Sequence, residues 1–161
     1  MDLTIDLSVA DGERIIVEGS VTDVKRAPII GATVEIWHAD ATGRYAHPND
    51  QSKRLDQPSF IGHGRQRTTS RGQFAFATIL PGCYAIDDGR VRASHIHFQA
   101  TGPCERLVTQ MFFANEPLNA ADPLLIRARR PEALIATWVT PGPGKRHAHR
   151  VARWNIVMTR G

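Results

Sequence analysis

Two runs decide the fold: EGSVTDVKRAPIIGATVEIW at residues 18–37 and TSRGQFAFATILPGCY at residues 69–84. Within the first, Val34 and Ile36 fall on one side of an extended chain, with Thr33, Glu35 and Trp37 on the other. Within the second, Phe74 and Phe76 share a face behind the polar turn TTSRG. Strand character extends outward from these runs. RIIVEGSVTD (14–23), ATVEIWHAD (32–40), GQFAFATI (72–79), ASHIHFQA (93–100), RLVTQMFF (106–113) and RWNIVMTR (153–160) make six strand candidates separated by Gly- and Pro-rich turns. Many short strands with turn signals between them predict an all-β protein: a β-sandwich of two mixed or antiparallel sheets with long loops. One short helix is expected near 131–138, where Pro131 fits a first helical position, Glu132 suits the helix dipole and ALIATW follows.

The order strand, D…PI-GA-V turn, strand, G-F-F…PG-Y is also the layout of non-enzymatic β-sandwich modules. Read that way, Tyr84 is a packing residue and the protein a binding or spacer module. The chain reads as a single domain over 1–161, long enough to bury a core. It is 42% hydrophobic and 22% charged, as in ordinary globular proteins. No apolar run approaches the roughly 18–20 residues of a membrane span. The N-terminus has acidic residues and no apolar stretch of the signal-peptide kind. With only Cys83 and Cys104, a disulfide framework is not indicated, and a cytoplasmic location is expected. The formal charge of +4 raises nucleic-acid binding, but the basic residues are scattered apart from RARR (127–130) and KRHAHR (145–150). Neither cluster is interleaved with aromatics as a stacking platform would be, so no nucleic-acid partner is expected.

The chemistry centres on RASHIHF, residues 92–98. On a strand, His95 and His97 present both imidazoles to one face, and Ile96 and Phe98 pack behind. Alone, the pair suits zinc, copper, iron or nickel, or two core histidines. The second pair, His147 and His149, follows the loop PGPGK and is flanked by Lys145, Arg146 and Arg150. Those fixed positive charges disfavour a cation there, and the pair reads as surface. Tyrosine is scarce: only Tyr45 and Tyr84 occur, in TGRY and PGCY, each near a turn glycine at the end of a strand candidate. A phenolate is a hard anionic donor, and a set of two histidines and two tyrosines suits iron(III) rather than structural zinc. His38 and His47 lie close to the Tyr45 motif and are candidates only for the pocket wall.

GERIIVEGSV, GATVEIWHADATGRY, GQFAFATILPGCY, RASHIHF and LVTQMFFANEPLN together resemble the intradiol ring-cleavage dioxygenases, over nearly the whole chain. The likeness is strongest to the iron-bearing (beta) subunit of protocatechuate 3,4-dioxygenase. The resemblance implies a non-haem Fe(III) cofactor held by Tyr45, Tyr84, His95 and His97, with Tyr45 equatorial and Tyr84 axial in type. It implies that Tyr84 leaves as a phenol and takes a substrate proton, that Arg92 stabilises negative charge on the substrate, and that Gln110 stands behind the metal ligands. The reaction implied inserts both atoms of O2 into a catechol, cleaving between the hydroxylated carbons to a cis,cis-muconate-type product. Partners are then a small catechol and O2, with a homo-oligomer or a partner subunit open. The reading from another class is a metal-free β-sandwich binding or accessory subunit of such an enzyme.

Three departures from the family pattern bear on substrate. The chain starts almost at the GERI strand. The loop AIDDGRVRAS, with Asp87 and Asp88, is short and lacks a tryptophan. Cys83 replaces a common proline and is expected as a buried, neutral thiol. A more open pocket, or one completed by a neighbour, is expected, with Arg90 a candidate partner for a substrate carboxylate. Arg92 fits its role only if regular strand geometry begins after Ala93, since strict alternation from His95 turns it to the opposite face.

Overall fold

The computed structural model describes residues 5, 7–8, 10–45, 60–86, 89–139 and 149–159. Eleven strands form its framework. They are β1 (Arg14–Asp23), β2 (Thr33–Trp37), β3 (His63–Arg67), β4 (Gln73–Ile79), β5 (Tyr84–Ala85), β6 (Val91–Arg92), β7 (His95–Thr101), β8 (Arg106–Phe113), β9 (Ile135–Val139), β10 (Arg150–Arg153) and β11 (Ile156–Met158). One layer holds β4, β1, β10 and β9, with β11 continuing beside β1; the other holds β9, β8, β7, β2 and β3. Strand β9 belongs to both. It pairs antiparallel with β10 and parallel with β8, which closes the two layers along one side. The expected mixed sandwich is therefore one sheet folded over on itself, with β5 and β6 as a separate two-stranded sheet.

The period-2 pattern of the sequence explains which face turns inward. Val34, Ile36, Ile96 and Phe98 are fully buried, and Phe76 nearly so. The Phe98 ring packs 5.8 Å from Phe74 and 5.0 Å from Trp154, bridging the layers at the centre of the core. Each such side chain contributes about 1.5–3 kcal/mol by burial. The outward residues of β2 and β7 are left to build a polar surface, and the candidate site lies there.

Two expectations need correction. The helix near 131–138 is a single 3-10 turn, Pro131–Leu134, with Pro131 and Glu132 where the sequence predicted them. It stops because Ile135, Thr137 and Val139 are β-branched and find strand partners in β8 and β10. RWNIVMTR is not one strand either. Trp154 and Asn155 interrupt it, with the Trp154 indole donating to Ala133 O and Asn155 Oδ1 accepting from the Ser20 backbone N–H. No local pattern marks β3, whose HGRQR pairs with β2 despite its polarity, or a second 3-10 turn at Pro117–Ala121. No helix among the described residues is long and apolar enough to cross a membrane.

Candidate metal centre

Strand β7 is held between β2 and β8, so its outward side chains have little freedom. His95 and His97 point to the same face, and their Nε2 atoms come within 3.3 Å of each other. Behind them Ile96 and Phe98 sit in the core, as alternation predicts. The registers place Trp37 and Gln110 on either side of His97. Trp37 stacks flat on the imidazole, 5.0 Å between centroids and 5° between planes. The sequence placed Trp37 on the outward face of β2; the register with β7, which one sequence does not show, brings it onto His97.

The two tyrosines arrive from loops. Asp40 folds residues 40–44 into a tight turn: its Oδ1 accepts from the backbone N–H and hydroxyl of Thr42, both at 2.8 Å, and from Arg44 N–H at 3.0 Å. That turn delivers Tyr45. The backbone carbonyl of Asp40 accepts from Gly82 N–H at 2.9 Å, tying on the segment that carries Tyr84. Gly43 lies so close to this segment that a Cβ there would sit 2.2 Å from Cys83 O, and its φ of +85° also calls for glycine. Ser94 completes the tie by donating to Pro81 O at 2.6 Å, joining the start of β7 to the same segment.

The four rings meet. Tyr45 and Tyr84 are edge-to-face at 5.6 Å, Tyr84 lies 5.7 Å from His95, and Tyr45 lies 6.3 Å from His97. The Tyr45 hydroxyl is sealed from solvent and makes no hydrogen bond of good geometry, the Tyr84 phenol being its polar neighbour. Burial, and after it the neighbouring Tyr84 phenol, push its pKa up. Burial likewise holds both histidines below their ordinary value, His97 down to about 4 with His95 adding to the effect, so both are neutral at pH 7. His95 Nδ1–H donates to Ala93 O at 2.6 Å, which leaves its Nε2 as a free donor atom for a metal. Among the described residues no group of three or more His, Cys, Asp or Glu side chains could hold a metal. Two imidazoles and two phenols, one with a buried hydroxyl lacking a well-formed hydrogen bond, do suit a hard, Lewis-acidic cation.

Arg92 and Gln110 stand directly behind. Arg92 lies on β6, in register with Tyr84, and regular geometry resumes only at His95, which resolves the alternation conflict. Its Nη2 donates to Gln110 Oε1 at 2.5 Å, and Gln110 Nε2 lies 3.3 Å from His97 Nδ1. Arg92 Nε donates to Asp122, a residue the sequence reading missed. Asp122 is fully buried and accepts two further backbone bonds from Leu124 and Leu125, each at 3.0 Å. Burial raises its pKa, but the N–H groups of Leu125, Ala93 and Leu124 together with Arg92 outweigh it, and the net direction is down. The dipeptide Asp122-Pro123 signals a turn; the contact with Arg92, thirty positions away, leaves no local trace.

Other candidates fall away from the cluster. His38 is 3% exposed and fully engaged, donating from Nδ1 to Ala39 O and accepting at Nε2 from the Thr78 hydroxyl, both at 2.7 Å. Cys83 is exposed, not the buried thiol expected. His149 is partly exposed beside β10; His47, Asp87, Asp88 and His147 lie outside the described residues.

On an all-β scaffold, two imidazoles on the outer face of β7 thus meet two phenols brought over them from separate segments. Known proteins share this scaffold. A family model described as "Dioxygenase" matches residues 3–160. The chain is 44% identical over 117 residues to the protocatechuate 3,4-dioxygenase beta chain of Burkholderia cepacia, covering 70% of this chain and 50% of that one. It is 34% identical over 150 residues to a 6-chlorohydroxyquinol 1,2-dioxygenase of Cupriavidus pinatubonensis, covering 84% and 51%. The structure of catechol 1,2-dioxygenase from Acinetobacter sp. ADP1 superposes with a TM-score of 0.78 at 26% identity, covering 96% of this chain and 55% of that one. The chain belongs to the intradiol dioxygenase family. It spans about half the length of the curated relatives it matches.

Proposed function

We propose that this chain is a non-haem iron(III) intradiol dioxygenase acting on a catechol-type substrate, with Tyr45, Tyr84, His95 and His97 as the metal ligands. The observation that carries the reading is the meeting of two neutral imidazoles and two phenols, with the Tyr45 hydroxyl buried and without a well-formed hydrogen bond. Bound there, iron(III) supplies Lewis acidity that draws electron density from a catecholate toward O2. The chain's own residues do the rest. Burial keeps His95 and His97 neutral, so neither ring sets a positive charge against an incoming cation. Tyr45 is lodged in the Asp40 turn and stays fixed. Tyr84, on a two-residue strand, leaves as the phenol and accepts a substrate proton at its Oη. Arg92, held beside Tyr84 by register, places positive charge where the dianionic substrate accumulates negative charge. The product expected is the cis,cis-muconate-type dicarboxylic acid.

The test is oxygen uptake by the iron-loaded protein with a panel of catechol, protocatechuate and hydroxyquinol, with products identified. Ring opening between the hydroxylated carbons, in a protein coloured red by tyrosinate-to-iron charge transfer, is the expected result. A colourless protein that retains no iron after reconstitution would refute the ligand set. Tyr84→Phe should shift the visible band and impair turnover; an unchanged spectrum removes Tyr84 from the set.

A further inference from the structure

Asp122 stands at the root of two hydrogen-bond branches that end on the two histidines. Its Oδ2 accepts from Arg92 Nε at 2.9 Å and from Ala93 N–H at 2.9 Å. Along the first branch, Arg92 Nη2 donates to Gln110 Oε1. Arginine has no acceptor, so this bond turns the Gln110 amide nitrogen toward His97, where it donates to Nδ1 and, in the iron-free protein, leaves the ring proton on Nε2. Along the second, the residue whose N–H is clamped presents its carbonyl to His95 Nδ1 at 2.6 Å. Thus a single carboxylate oxygen, on neither ligand strand, underlies the orientation of both imidazoles. The other oxygen, Oδ1, is occupied by the Leu124 and Leu125 N–H groups at 3.0 Å, which fix the carboxylate plane. The Arg92–Asp122 pair is shut off from solvent, with side-chain exposures of 8% and 0%.

We propose that Asp122 is the positioning residue of this metal centre, orienting His97 through Arg92 and Gln110 and His95 through Ala93. The assignment rests on the functional reading above only for its catalytic consequence. The carboxylate is required because four N–H donors converge on its two oxygens. An asparagine offers one oxygen, and its NH2 must face a pair of donors whichever way it turns.

The experiment compares Asp122→Asn with Asn119→Ala. Asn119 donates to Phe113 O at 2.8 Å and secures the same 117–122 segment without touching Arg92. In the iron-free protein, Asp122→Asn should move the Arg92 Nε–H resonance and the Nδ1 nitrogen shifts of both histidines, and Asn119→Ala should leave them in place. In the iron-loaded protein, Asp122→Asn should lower kcat or iron affinity by about 10- to 100-fold, as expected for groups that orient metal ligands. The KM for catechol should stay within about twofold. Unmoved Arg92 and histidine signals in Asp122→Asn, or equal damage by Asn119→Ala, would reduce Asp122 to a loop staple and overturn the proposal. Should Asp122→Asn not fold, the wild type still decides. Arg92 Nε–H must exchange with solvent roughly a hundredfold or more slowly than that of exposed Arg71, and equal rates overturn the assignment. If no catechol is cleaved by the wild type, the functional reading fails, and the iron-free measurements still settle Asp122.

Discussion

Replacing Gly43 by alanine tests whether the two tyrosine-bearing segments are locked backbone to backbone. Two costs arise at this position. The residue has φ of +85°, where a side chain costs about 1–2 kcal/mol relative to glycine. The new Cβ would also lie 2.2 Å from Cys83 O and 3.1 Å from the Tyr84 Cβ, so the Tyr84 segment must retreat. Overpacking of that kind costs about 1–3 kcal/mol. A gain of about 0.4–1 kcal/mol comes from the stiffer unfolded chain. The net loss expected is about 1–4.5 kcal/mol, centred on about 3. Gly89 is the control: its φ is +78°, yet nothing lies within 4 Å of a Cβ there. Gly89→Ala carries only the conformational cost, and its net loss should be about 1 kcal/mol or less. The assay is urea unfolding of both variants, followed by iron loading. With a slope of about 2 kcal/mol/M, Gly43→Ala should lower the midpoint by roughly 1.5 M and weaken the visible band, whereas Gly89→Ala should keep the band. Equal midpoint shifts, or a Gly43→Ala protein with an unaltered band, would refute the interlock.

His38 makes the fold acid-sensitive. Burial holds its pKa down to about 4, overriding the bond to Ala39 O, whereas the unfolded chain titrates near 6.5. Between those values the unfolded state binds the extra proton, so stability is full above pH 6.5 and falls by about 3 kcal/mol as pH drops to 4. In iron-free protein, His38→Gln should flatten part of this decline in urea midpoints between pH 7.5 and 4.5, and a parallel decline refutes the assignment. Phe98→Ala removes the ring between Phe74 and Trp154 and should cost about 3–5 kcal/mol by thermal unfolding; a loss under about 1 kcal/mol would show that the layers do not meet there. The half-exposed Glu18–Arg153 pair is the contrast: Glu18→Gln should change stability by no more than about 1 kcal/mol.

What could be read from the chain divides by the range of the interactions involved. β1 and β8 coincide with the expected runs, and the alternation in VEIW and SHIHF placed the right residues in the core, because strand period is local. β9 reads locally as helix because Pro131 and Glu132 are true helix-start signals; only tertiary pairing stops the turn after Leu134. β3 escaped because its apolar content is negligible and its place is set by partners on β2. The site shows the same division. Histidines at i and i+2 on a strand share a face by geometry alone, and the rarity of tyrosine drew attention to Tyr45 and Tyr84. Asp122 and Trp37 act through register and contact across the chain, and a single sequence does not display either. Cys83 was misjudged for a related reason: its neighbours Gly82 and Tyr84 are held by Asp40 and Arg92, which turns its own side chain outward.

The scaffold assigns unequal freedom to the four ring side chains, and this inequality favours the roles proposed for them. His95 and His97 project from a strand flanked on both sides, and each imidazole has an Nδ1 partner within the protein. Tyr45 leaves a turn cross-linked by one carboxylate oxygen, and its hydroxyl is walled in. Tyr84 alone belongs to a two-residue strand whose only strand partner is equally short. A side chain that must move away as it takes up a proton, and give the proton up to return, is best placed on the element with the fewest backbone bonds to break. Arg92 is its register partner, so the charge that would receive an incoming dianion is delivered by the same hairpin. Asp122 and Gln110 anchor Arg92 through Nε and Nη2, so the side chain proposed to move and a fixed positive charge are neighbours on one small sheet.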